Sequence, residues 1–202
     1  VNRLLLKPTL GRGHFCLRRH KILSIGIDPG VEGGIATYNP NREKPMQAFI
    51  MPTEKTGKGN RQRIDAQALW KLLGDELQTT GPYLIAVEKV ASMPSDGHVG
   101  AFAFGESVGI IRTVVVFLGM HWRLPLETPL PQQWQKSVLR GTSKGKHAAI
   151  AYVKQRYPEV NLLRTEKCRV PHDGMSDAVC ICAYALSILT AERREDVVPE
   201  VR

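Results

Sequence analysis

Residues 21–39, KILSIGIDPGVEGGIATYN, decide how this chain folds. An apolar, β-branched run at 22–28 closes on Asp28, PGVEGG supplies a Gly/Pro turn, and IATYN at 35–39 resumes as a second strand, so the stretch predicts a hairpin. Downstream, MQAFIM at 46–51 has the composition of a third strand, and the polar, basic TEKTGKGNRQR at 53–63 reads as a loop. DAQALWKLLGDELQ at 65–78 has helical apolar spacing behind an Asp65 N-cap. YLIAVE at 83–88, bounded by Gly81 and Pro82, suits a buried central strand.

A glycine-rich connection, SMPSDGHVGAFAFG at 92–105, then leads into an apolar helix at 106–119, and WRLPLET at 122–128 reads as a last strand. Pro131 opens a short helix through Leu139, SKGKHAAIAYVKQRY at 143–157 forms another, and 173–190 the closing one. A three-strand meander followed by helix, strand, helix, strand and closing helices is an α/β order with mixed strand directions, the order of an RNase H-like sheet flanked by helices. With 202 residues and 43% hydrophobic content, a single domain over 22–190 can bury one core. No internal repeat or linker divides it.

The acids carry the chemistry. Asp28 ends the first strand and Glu88 ends the central one; if the two strands are parallel neighbours, both carboxylates lie at the carboxyl edge of the sheet, where α/β sites form. In HDGMSDAVCICAYAL, Asp173 and Asp177 are spaced i, i+4, which sets their Cβ atoms roughly 6 Å apart on one helical face. Asp173 alone can serve as an N-cap. Asp177, followed by the apolar AVCICAYAL, calls for a partner. Carboxylates gathered this closely repel unless divalent cations neutralise them, which points to two Mg2+ ions (Mn2+ substituting) and phosphodiester hydrolysis. A cationic side chain should offset charge in that transition state, and Lys144 and Lys146 in RGTSKGKHAAI are the candidates. His172 is a candidate ligand or acid, or a structural residue.

The formal net charge of +9 at pH 7 favours a polyanionic partner, with nucleic acid first. Candidate phosphate contacts are Lys55, Lys58, Arg61, Arg63, Arg140, Arg164, Lys167 and Arg169, which position a strand without reading its sequence. The first 21 residues hold six Lys or Arg and no acid, as in an organellar transit peptide or a DNA-gripping arm, and 191–202 reads as a polar tail. The four cysteines form no C-x-x-C pair and read as reduced thiols. No apolar run reaches the roughly 18 residues of a membrane span, so a soluble chain without a membrane partner is expected.

IGIDPGVEGGIA, VEKVASMPSDG with FAFGESVG, TPLPQQWQKSVLRG, SKGK and HDGMSDAVCICAYA follow in the order of the RuvC-like Holliday junction resolvases, which the chain resembles from about 22 to 190. Within them it most resembles the branch shared by bacterial or phage proteins and the monokaryotic-chloroplast resolvase. The resemblance implies an RNase H-like fold, a homodimer, and Mg2+-dependent paired nicks across a four-way DNA junction. It assigns metal binding to Asp28, Glu88, Asp173 and Asp177 and a catalytic lysine to the SKGK segment. The basic amino terminus alone points to a plastid or mitochondrial nucleoid, with a bacterial or phage cytoplasm as the alternative.

Two departures stand out. The last acids are four apart, where the better-known bacterial members have three. The aromatic wedge that follows their second acid is replaced by Lys89, Val90, Ala91 and Ser92, which leaves Met93 as the first bulky apolar candidate, with Phe102 and Phe104 as alternatives. An RNase H or transposase-type nuclease and an inactive junction-binding protein are the competing readings. An actin-like ATPase would need a second domain and nucleotide loops that this length does not hold.

Overall fold

The computed structural model describes residues 23–57, 61–77, 83–91, 97–122, 124–142, 145 and 147–195. The expectations for the basic arm and for most of the polar tail lie outside these residues. In chain order the elements are β1 (Leu23–Asp28), β2 (Gly34–Tyr38), β3 (Met46–Ile50), β4 (Thr53–Lys55), β5 (Gln62–Ile64), α1 (Ala66–Leu77) and β6 (Tyr83–Val87). They continue with α2 (Gly97–Trp122), β7 (Leu126–Glu127), α3 (Pro131–Val138), α4 (Ala148–Arg156) and α5 (Asp173–Glu195). Five strands form one mixed sheet in the order β3-β2-β1-β6-β7. β2 runs antiparallel to β1 and β3, whereas β6 runs parallel to β1 and β7.

Alternation along the two central strands sorts their side chains between two layers. Leu23, Ile25 and Ile27 of β1 and Ile85 and Val87 of β6 pack with Leu69 and Leu73 of α1 and Ile111 and Val115 of α2. Leu84 and Ala86 of β6 face the opposite layer, against Ala178, Val179 and Cys182 of α5 and Trp134 of α3. On β1 that second face carries Ser24, whose hydroxyl donates to the Cys182 carbonyl at 3.1 Å, and then Gly26. Continuing the alternation puts Asp28 and Glu88 on the α5 side as well.

Three glycines let α5 approach the sheet backbone to backbone. A Cβ on Gly26 would fall on the main chain of Ala178 and Cys182, one on Gly34 would lie 2.6 Å from the Gly174 carbonyl, and one on Gly174 would strike Glu32 and Gly33. Side-chain volume at any of them would push the helix off.

Several expectations are corrected. The basic stretch expected to be a loop contains the short antiparallel pair β4–β5, too brief and polar to show an alternating pattern. α2 begins at Gly97, not at 106, because the small residues read as a connection continue the helix. The last strand shrinks to Leu126–Glu127. The fourth helix starts at Ala148, since Gly145 at φ 130° stands outside helical geometry. The Asp65 cap does form, with Oδ1 accepting from the Ala68 N–H at 2.9 Å.

The membrane criterion is also corrected. Gly97–Trp122 and Asp173–Ala191 are long and apolar enough to cross a bilayer by length and composition, because a window that tolerates Glu106 and Arg112 passes where an uninterrupted run does not. α5 satisfies the test as the covering helix of the sheet, while α2 is mostly exposed.

Candidate active site

The end of β1 and the end of β6 are bound side by side: Ile27 pairs with Val87, and the Glu88 N–H donates to the Ile27 carbonyl at 3.0 Å. Parallel pairing and the shared face therefore bring the Asp28 and Glu88 carboxylates to one edge of the sheet, as the sequence predicts. From above, the glycine contacts hold the first turns of α5 against that edge. Asp177 descends toward it from α5, one turn after the exposed Asp173.

The electrostatics report this convergence. Burial holds the Asp28 carboxyl well above the usual carboxylate range, with Asp177 and then Glu88 adding repulsion. Burial also pushes Asp177 up to about 6, with Glu88 and then Asp173 adding to it. The Glu88 carboxyl is raised by burial and drawn partly back by a hydrogen bond from Trp134. All three groups lose hydration, and Asp28 and Asp177 also feel neighbouring carboxylates, an arrangement that favours either a shared proton or a cation.

Among the described residues, no three His, Cys, Asp or Glu side chains close into a ready-made metal cage. The mutual repulsion nevertheless places these acids within electrostatic reach of one another. At that separation, carboxylates on rigid elements can turn toward a common ion. As a donor set the acids fit Mg2+: hard oxygens, negative and partly desolvated.

Other predicted residues divide. Lys144 and Lys146, the wedge candidate Met93 and the contact Lys58 lie outside the described residues. Lys55, Arg61, Lys89, Arg140, Lys167 and Arg169 are exposed. Arg63 is exposed but paired with Glu54 at 2.7 Å, and Arg164 grips Glu32 through two bonds of 2.8 and 3.2 Å. Of the two alternative wedge residues, Phe102 is 76% exposed on α2 and Phe104 is half-buried. His172 plays a structural part. Its Nδ1 accepts the Met175 N–H at 3.3 Å and caps α5, and its Nε2 lies 3.6 Å from Glu32.

Sequence reasoning placed α3 but passed over Trp134. Trp134 is 1% exposed, and its indole N–H donates to Glu88 Oε1 at 2.7 Å. Beside it a cleft of about 620 Å³ opens between α3, the following loop and α4, lined by Gln135, Lys136, Arg140 and Thr142 with Asp177 at its inner wall. One large aromatic in the otherwise polar PQQWQKSV was the available signal, because such a residue goes inward and its N–H needs a buried acceptor.

No family model matches the sequence, and no curated protein matches it at a significant level. The fold is similar to Thermus thermophilus RuvC, with TM-score 0.49 and 19% identity over 86% of this chain and 96% of that one. It is similar to T. thermophilus RuvC in complex with Holliday junction substrate, with TM-score 0.50 and 10% identity over 84% and 97%. It is also similar to the yeast mitochondrial Holliday junction resolvase Ydc2, with TM-score 0.47 and 14% identity over 85% and 82%. At these identities the likeness is one of fold: the five-stranded mixed sheet with flanking helices is RNase H-like.

Proposed function

We propose that this chain is a Mg2+-dependent endodeoxyribonuclease that resolves four-way DNA junctions by paired nicks, acting as a homodimer. The observation that carries the reading is the convergence of Asp28, Glu88 and Asp177, from three separate elements, at the carboxyl edge of an RNase H-like sheet. Asp28, Glu88, Asp177 and Asp173 would hold the cation, which when bound supplies water activation and charge neutralisation at the phosphoryl group.

The rest of the work falls to the chain's own groups. Of the three converging acids Asp28 is the most deeply buried and anchors the site, while Glu88 approaches from the neighbouring strand. Lys136 and Arg140 give the cleft beside Asp177 a cationic wall that suits the phosphates of a bound strand. Lys144 and Lys146 in the adjoining segment remain the candidates for offsetting transition-state charge. The net charge of +9 supplies long-range attraction for DNA.

The homodimer reading rests on α2. Its inner side packs through Ile111, Val115 and Leu118, yet Val99, Phe102, Phe117 and Met120 are exposed at 69, 76, 59 and 73%. Such an apolar surface is the mark of an interface. A second copy about a twofold axis would supply two sites to a substrate with approximate twofold symmetry.

The deciding experiment incubates a synthetic mobile four-way junction with Mg2+, beside duplex and RNA/DNA hybrid controls, for wild type and Asp28→Asn. Symmetric, ligatable nicks confined to the wild-type junction lane are expected. Equal cutting of the hybrid would instead establish an RNase H-type activity, and binding without cutting an inactive junction binder.

A further inference from the structure

We infer that Trp134 is a positioning residue for Glu88, fixing the orientation in which that carboxylate meets a divalent cation; the inference rests on the metal-dependent reading above. The Trp134 indole is buried, and its only polar atom, Nε1, donates to Glu88 Oε1 at 2.7 Å across 46 positions of sequence. A buried N–H to a carboxylate is a charge-assisted bond. It holds one oxygen in place and leaves the other, with the outer lone pair of the first, for a cation.

The surrounding backbone makes the indole a fixed donor rather than a passing one. Glu88 is tied on one side to β1 through its own N–H, bonded to the Ile27 carbonyl at 3.0 Å. On the other side the Lys89 N–H donates to the Pro129 carbonyl at 2.8 Å, joining the residue after Glu88 to the segment that enters α3. α3 itself is pinned at its start, where the Leu130 N–H donates to Gln133 Oε1 at 2.7 Å and Pro131 sets the first turn. Trp134 follows within that turn and packs in the layer that includes Ala86, Ala178 and Ile181. Main-chain bonds on both sides thus fix the backbone of Glu88, and the indole N–H fixes its carboxylate. Purely apolar packing at position 134 would not need the indole N–H. The bond is what separates a positioning role from a filling role.

The test uses the full chain and Mn2+ alone as the probe. In a Trp70→Phe, Trp122→Phe background, Trp134 is the sole emitter, and Glu88→Gln should change its emission before any metal is added. Mn2+ titrated into that background should change the emission with the same midpoint that calorimetry gives for binding. Trp134→Phe, which keeps an aromatic ring and loses the N–H, should weaken Mn2+ binding 10–100-fold by calorimetry.

Trp134→Phe that lowers Tm but leaves Mn2+ affinity at the wild-type value would make the residue a filler and overturn the inference, while the metal-dependent reading would survive. If Trp134→Phe does not fold, unchanged emission in the Glu88→Gln protein overturns the inference by itself. Wild-type protein that binds no Mn2+, or binds it equally well as Asp28→Asn, would overturn the function reading and this inference together.

Discussion

Gly26 lies directly beneath Cys182, so close that a single added carbon on the glycine would overlap the helix backbone. The contact sets the height of α5 above β1, and hence the height of Asp177 above Asp28. Gly26→Ala must therefore lift the helix or bend the strand. We expect it to cost about 1–3 kcal/mol or more, read by urea unfolding. It should abolish Mg2+-dependent cutting even at temperatures where the variant remains folded. Full activity in a folded Gly26→Ala protein would show that the helix height does not matter.

Asp177 predicts an inverted pH response. Its carboxyl stands at about 6 in the folded chain against an ordinary 3.8, so the native state binds the proton more tightly than the unfolded state. The resulting stabilisation is complete below about pH 4 and is lost as pH rises through about 6. In metal-free protein, Asp177→Asn should match wild type near pH 4 and exceed it at pH 7, by roughly 3 kcal/mol at most. Added Mg2+ should raise the Tm of wild type more than that of the variant. Calorimetric scans at the two pH values check both signs.

Exposed apolar residues on α2 give a prediction about assembly. If the chain is a dimer through α2, Phe117→Glu with Met120→Glu should shift it to monomer in sedimentation while leaving each chain folded by circular dichroism, because neither side chain is buried within one chain. The monomer should nick one strand of a junction at a time. A double variant that sediments as wild type would remove α2 from the interface.

Salt titration separates free from paired cations. Arg61, Lys167 and Arg169 are exposed, whereas Arg63 and Arg164 are engaged with Glu54 and Glu32. Each of Arg61→Ala, Lys167→Ala and Arg169→Ala should weaken junction binding and flatten the log K against log salt plot by roughly one. Arg63→Ala should have the smaller effect. Slopes identical to wild type in all three would place DNA on another face.

The central hairpin, the buried strand β6 and the i, i+4 acids were legible, because short apolar runs bounded by turn residues and helical spacing mark themselves locally, whereas the parallel pairing of β6 with β1 was a condition that the structure supplies. The short polar pair β4–β5 was not, since three-residue strands carry almost no period. The first nine residues of α2 were hidden by three glycines at 97, 100 and 105, which mimic a connection until packing carries the helix through. Trp134 was missed for another reason. Its contact with Glu88 spans 46 positions and depends on how α3 docks, which no local pattern encodes.

The abutment of Gly26, Gly34 and Gly174 has a consequence for how this molecule tolerates change. Where main chain rests on main chain, the offset between the layers does not depend on interdigitated methyl groups. Substitutions such as Ile181→Val or Leu84→Met can then loosen the interior while the reactive edge keeps its dimensions. Sequence drift should therefore be permissive through most of that layer and unforgiving at three residues that possess no side chain at all.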